Sequence, residues 1–180
     1  DGAEATVDNV KAGAYKLSRP FNIATKGEPT GVAKDFISFI LSKEGQAVVT
    51  DNKYIAVNDA AESFVSDGSS GQIAVGGSSS VSPVMEKLIE AYKSVNPNAS
   101  IDLQTSDSTS GMTGAMDGTF AIGMASRELK DEEAAQLTGT AIALDGIAVI
   151  VNPANTIDEL SMDQIKSIYV GDITDWGDLA

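Results

Sequence analysis

Gly76-Gly77-Ser78-Ser79-Ser80-Val81-Ser82-Pro83 is the stretch whose reading decides the fold. A short apolar strand, Gln72-Ile73-Ala74-Val75, leads into it. An amphipathic helix follows: Val84, Leu88 and Tyr92 recur four apart, and Met85 and Ile89 widen the stripe. Strand, glycine-serine turn and helix together make an anion-binding arrangement. The glycines let the backbone approach a ligand, and the helix start offers unpaired N–H groups and partial positive charge. The serine hydroxyls add donors. The plainer reading is that Ser80 or Ser82 caps the helix, with Pro83 in its first turn.

Composition narrows the functional classes. A chain of 180 residues with 42% hydrophobic and 21% charged residues suits one globular domain or two small ones. No run reads as a signal peptide or approaches the length of a membrane span. There is no cysteine and no histidine, so thiolate chemistry, a Ser-His-Asp triad and histidine-bound zinc are all excluded. A net charge of −14 argues against nucleic acid or an anionic membrane as partner. Any bound anion must be held by local dipoles against that field.

Outward from the central stretch, the pattern alternates helices with short apolar strands. Tyr15 to Thr25 alternates as a strand, with a break or bulge expected at Pro20. Thr30 is a plausible cap for a helix with a buried face of Val32, Phe36, Phe39 and Ile40. A short second helix is expected through Gln46–Val49, then an extended piece at Tyr54–Val57. Residues 58–71 shift to Asn, Asp, Ser and Gly and read as a seam, their last five residues as a flexible connector. After the central helix come a strand at Ser100–Thr105, a second hydroxyl-rich turn, Ser106-Asp107-Ser108-Thr109-Ser110-Gly111, and a short helix. Another strand, Phe120–Ala125, ends at Ser126-Arg127. A surface helix at Lys130–Gln136 and a strand from Thr140 with a bend at Asp145-Gly146 follow. Ser161 caps a last helix, and Trp176 reads as an aromatic anchor in the final turn.

This alternation makes an α/β domain, with ligand-facing turns at the carboxyl edge of its strands. Three strand ends then converge, at Ser78-Ser79-Ser80, Ser108-Thr109-Ser110 and Ser126-Arg127. Hydroxyls both donate and accept, so they suit a partly protonated oxyanion. Arg127 offers a bidentate contact, or else a surface ion pair with Glu128. Asp172, Asp175 and Asp178 lack the spacing of a calcium loop and read as solvated turn carboxylates. Met112, Met116 and Met124 read as core filler.

Four blocks carry a resemblance that covers nearly the whole chain. They are Gly76–Pro83 opening a helix, Gln104–Gly111, Ala121–Leu129, and Ile165-Lys166-Ser167-Ile168-Tyr169-Val170-Gly171-Asp172-Ile173-Thr174-Asp175-Trp176. Together they resemble the PstS-type phosphate-binding proteins, the extracytoplasmic solute receptors of phosphate ABC importers. The resemblance implies a periplasmic-binding-protein fold and a phosphate ligand, with an importer permease as partner and no catalysis. Such receptors have two lobes. Here the segment order is permuted: 72–180 matches the family's amino-terminal segment and 1–57 its returning carboxyl-terminal segment, joined through 58–71. The chain is thus expected to be one lobe across 1–180, a mixed sheet flanked by helices. Its serine-glycine connector suggests deliberate joining, with natural rearrangement as the other route.

Carried over by residue, the resemblance places Ser79 and Ser80 in the first phosphate loop and Ser108, with Thr109 beside it, at the second helix start. Ser126 falls where many members have an aspartate that accepts a proton from the ligand, with Arg127 beside it. The second lobe's contacts are not in this sequence. Losing roughly four bonds of 1.5–3 kcal/mol each leaves millimolar binding at best. A module that self-associates through the exposed former lobe interface is the rival from another class. A hydrolase built on Ser79 or Ser108 has no histidine base and no Gly-x-Ser-x-Gly turn.

Overall fold

The computed structural model of the chain describes residues 2–179. In chain order its elements are α1 (Val7–Lys11), β1 (Ser18–Thr25), α2 (Gly31–Ile40), α3 (Lys43–Asp51), β2 (Ile55–Ala56), β3 (Gly71–Ser78) and α4 (Ser82–Val95). There follow β4 (Ala99–Ser106), α5 (Ser108–Asp117), β5 (Ile122–Ala125), α6 (Asp131–Ala134), β6 (Thr138–Gly146), α7 (Met162–Val170) and a 3₁₀ turn at Trp176–Leu179. The expected α/β class holds, as a mixed six-stranded sheet flanked by helices. Its strand order is β2-β6-β1-β5-β3-β4. β3 runs parallel to β4 and β5, while β5 meets β1 antiparallel and β2 meets β6 antiparallel.

The backbone gathers into two compact units. The larger is Arg19–Asp145, and the smaller joins the segment ending at Ser18 to the one beginning at Gly146. The division falls where β6 ends: residues 147–160 form no helix or strand. In the larger unit, the apolar faces of α2 and α4 close over the sheet. Phe21, Ile23, Phe36, Phe39, Met85 and Leu88 are among its buried side chains. Buried Gln46 ties α3 to the sheet by donating to the carbonyls of Ile40 and Ile142 and accepting from the Val57 amide.

Pro20 neither breaks nor bulges β1, which is continuous from Ser18. The ladder with β5 begins only at Asn22, past the residue that lacks a donor. The connector also departs from expectation, because it is strapped to the helices along its length. Lys43 donates its amide to the Glu62 carbonyl, and Glu44 accepts from the Phe64 amide. The Phe64 ring meets Phe39 and Tyr92 at centroid distances of 5.3 and 6.2 Å. Beneath it lies Asp35, 3% exposed, which accepts hydrogen bonds from Ser66 Oγ, the Asp67 amide, Tyr92 Oη and Asn96 Nδ2. Serine and glycine here serve tight turns under a buried carboxylate.

The smaller unit is held by the Ile147 amide donating to the Leu17 carbonyl and Tyr15 Oη to the Ile147 carbonyl. Ser161 caps α7 as read, its hydroxyl accepting from the Gln164 amide while Gln164 Oε1 accepts from the Ser161 amide. Trp176 is no anchor: it stands exposed, on a turn too short to bury it. Nearby, Asp175 accepts the Gly177 amide in a local turn.

Candidate functional site

Register sets the site. Ser78 lies opposite Ser106 across β3 and β4, and Gly77 opposite Met124 across β3 and β5. Because the three strands are parallel, their carboxyl ends share one edge. The turns carrying Ser79 and Ser80, Ser108 and Thr109, and Ser126 and Arg127 all stand on that edge. Two hydrogen bonds sew them together. The Ser79 amide donates to the Ser106 carbonyl at 2.9 Å, and the Ser126 amide to Ser108 Oγ at 3.1 Å.

The glycines have a different task from the one read in the sequence. Gly76 and Gly77 are strand residues within β3, and their backbone is approached by protein. A Cβ on Gly76 would fall 2.3 Å from the Phe120 ring, and one on Gly111 would fall 2.6 Å from the Met124 carbonyl. Gly77 also has φ +135°, a backbone few side chains tolerate. These residues seat α5 directly on the sheet, which fixes its start beside that of α4.

The two helix starts differ in kind. Neither Ser80 nor Ser82 caps α4; its N-cap is Val81, which has no side-chain acceptor. The Ser82 hydroxyl turns back to donate to the Ser78 carbonyl and shares a 2.9 Å bond with Thr105 Oγ1. Among the described residues, no hydrogen bond holds the Ser80 amide or the hydroxyls of Ser79 and Ser80. The α4 start is therefore open to an outside acceptor. The α5 start is capped, all but its Ser108 amide, by a residue that the sequence reading passed over. Asp107 is its N-cap and accepts from the Thr109 and Ser110 amides at 2.8 and 3.0 Å and from Ser110 Oγ at 2.7 Å. Those bonds, Ser110's first, hold its carboxyl below the usual range. An aspartate ahead of Ser-Thr-Ser is an N-cap signal and was legible as such.

Arg127 is engaged too: it meets Glu128 only through that residue's carbonyl, to which Nη1 donates at 2.9 Å, and its ion pair is with another carboxylate. Its Nη1 and Nη2 form a bidentate pair with buried Glu133 at 2.7 and 2.8 Å. Glu133 also accepts the Lys130 amide, and the hydrogen bond from Arg127 leads in holding its carboxyl low against the effect of burial. Glu128 is instead 3.5 Å from Asn22 Nδ2. From its clamped position Arg127 reaches Thr109 Oγ1 at 3.4 Å. With Arg127 and Glu133 compensating each other, Asp107 and Glu128 are carboxylates near these loops without an ion pair among the described residues, and Asp107 stands at the α5 start. Hydroxyl donors, an open helix start and a carboxylate that can accept a proton suit a tetrahedral oxyanion that still carries one.

An α/β sheet with donor-bearing loops at its carboxyl edge is the form of a solute-binding lobe, and sequence comparison agrees. The PBP superfamily domain matches residues 63–180. A phosphate-binding protein PstS 2 of Streptococcus agalactiae is 52% identical over 182 residues, covering 100% of this chain and 62% of that protein. The crystal structure of a phosphate ABC transporter's phosphate-binding protein from Streptococcus pneumoniae superposes with a TM-score of 0.94 at 46% identity, covering 100% of this chain and 70% of that one. A phosphate ABC transporter substrate-binding protein from Clostridium perfringens, solved with bound phosphate, gives 0.53 at 44% identity over 61% of this chain and 45% of its own. The chain belongs to the PstS family of phosphate-binding proteins. It spans about 62% of the length of the streptococcal relative, and its relatives are receptors rather than enzymes.

Proposed function

We propose that the edge formed by β3, β4 and β5 holds inorganic phosphate or a similar oxyanion, as one half of a solute receptor. The observation that carries this reading is the uncapped start of α4, with the Ser80 amide and the Ser79 and Ser80 hydroxyls unpartnered beside it. Ser108, Thr109 and Ser126 supply hydroxyls from the neighbouring loops, and Arg127 supplies positive charge from its clamp on Glu133. The family relationship suggests an importer permease as partner and a place outside the cytoplasm for the receptor. Among the described residues no helix is long and apolar enough to cross a membrane. Titration of this chain with phosphate by calorimetry or NMR tests the reading. Millimolar binding that shifts the Ser80 and Val84 amides supports it; micromolar affinity, or no response at either residue, overturns it.

The permuted order also has support. The span matched by the superfamily domain, 63–180, contains β5 and β6, yet β1 lies between them in the sheet and comes from before residue 63. A lobe of this family built without that earlier segment must draw its central strand from elsewhere in its chain. The Streptococcus agalactiae relative aligns along all of this chain, so it carries these segments in the same order. That favours inheritance over deliberate joining.

A further inference from the structure

Ser78 ends β3, and its hydroxyl is buried yet unspent. The residue is 3% exposed, beside an exposed Ser79 and a half-buried Ser80. Its carbonyl is engaged twice, by the Val81 amide and the Ser82 hydroxyl, but among the described residues no hydrogen bond holds its Oγ. Other buried hydroxyls are used inside the protein. Thr25 donates to the Gly27 carbonyl, Ser42 to the Phe39 carbonyl and Tyr92 to Asp35.

Position decides what such a hydroxyl can meet. Among the described residues no side-chain oxygen or nitrogen is sealed from water without a partner, so Ser78 Oγ keeps an opening to the surface. Gly77 pairs with Met124 of β5 and packs its backbone on Gly111 of α5. Ser78, the next residue, therefore falls between the end of β5 and the start of α5, where Ser126 and Ser108 are already bonded to each other. On its other flank buried Ser82 turns back over the Ser78 carbonyl. The way out is the sheet edge, beside the open start of α4.

We infer that the Ser78 hydroxyl is a further ligand to the oxyanion, set deeper than Ser79 and Ser80, the two residues that the family resemblance places in this loop. A buried hydroxyl without a partner costs stability, and an anion oxygen at the edge removes that cost. The bond is thus gained only when the anion arrives. Because a hydroxyl both donates and accepts, it serves phosphate and sulfate alike. The inference rests on the anion reading above and adds a residue to it.

Ser78→Ala separates a ligand from a structural serine. Inorganic phosphate and sulfate are titrated by NMR into the wild-type chain and the variant, and each protein is unfolded in urea without either ion. Ser78→Ala should bind both ions roughly tenfold or more weakly, while its urea midpoint stays level or rises. Ser82→Ala, whose hydroxyl is held by the Ser78 carbonyl and Thr105, should lower the midpoint instead. Equal affinity in the wild type and Ser78→Ala overturns the inference and leaves the anion reading standing. A midpoint that falls in Ser78→Ala as far as in Ser82→Ala also overturns it, because the hydroxyl would then be held by the protein. A wild type that responds to neither ion overturns both readings.

Discussion

Gly77 and Gly111 meet backbone to backbone: a Cβ built on Gly111 would lie 2.7 Å from the Gly77 Cα. This contact brings the start of α5 to the sheet edge where β3 ends. Gly111→Ala is therefore expected to destabilise the larger unit by about 2–3 kcal/mol, since backbone cannot yield as a flexible side chain would. Thr113→Ala, on the exposed side of the same helix, should stay within about 0.5 kcal/mol. Urea denaturation of both variants checks the contrast.

Ser79→Ala and Ser80→Ala remove hydroxyls that hold nothing in the protein, so neither should move the urea midpoint. Each is expected to weaken phosphate binding roughly tenfold or more, as loss of one hydrogen bond to a charged group does. Unchanged affinity in both variants would remove them from the site.

Asp107→Asn keeps the α5 cap, because asparagine caps about as well as aspartate, and removes the negative charge at that helix start. Sulfate carries no proton at neutral pH and is repelled by that carboxylate, whereas hydrogen phosphate can donate to it. The variant should therefore gain affinity for sulfate relative to phosphate, and competition titrations read the ratio. A ratio that stays the same would place Asp107 outside the ligand's reach.

Asp35 predicts a pH dependence. Burial alone would raise its carboxyl, but bonds from the Asp67 amide, Tyr92, Ser66 and Asn96 outweigh that and hold it below the ordinary aspartate range. A depressed carboxylate contributes stability that is fully present above its unfolded pKa. That contribution is lost as pH falls through the folded value. Resistance of the wild type to denaturation should fall on acidification below about pH 4, and Asp35→Asn should lack that part of the slope. The amide substitution should also cost about 2–4 kcal/mol at pH 7, because Tyr92 and Asn96 lose their shared acceptor.

Phosphate titration of Glu133→Gln would separate two roles of Arg127. If the guanidinium acts on the ligand from a fixed position, the variant should bind phosphate several-fold more weakly with the protein still folded. If Arg127 only braces the loop, stability falls and affinity per folded molecule is retained.

The α/β class, the helices and the three hydroxyl-bearing loops could be read along the chain, because each depends on periodicity and on residues close in sequence. The stripe of Val84, Leu88 and Tyr92 is buried as spaced, and Ser161 caps its helix from its own first turn. Contacts across the fold had no such local signature. The Gly76-Gly77 pair looked like a ligand loop because a close approach requires glycine whether the approaching atom belongs to an anion or to Phe120 and Gly111. The connector looked loose because its anchor, Asp35, sits 31 and 32 residues away, inside a helix whose face otherwise reads as apolar. Which of two serine-rich helix starts stays open turned on where Asp107 and Ser82 point their oxygens. Spacing along the chain names the donors, but only the packed molecule shows which of them are already spent on the protein's own acceptors.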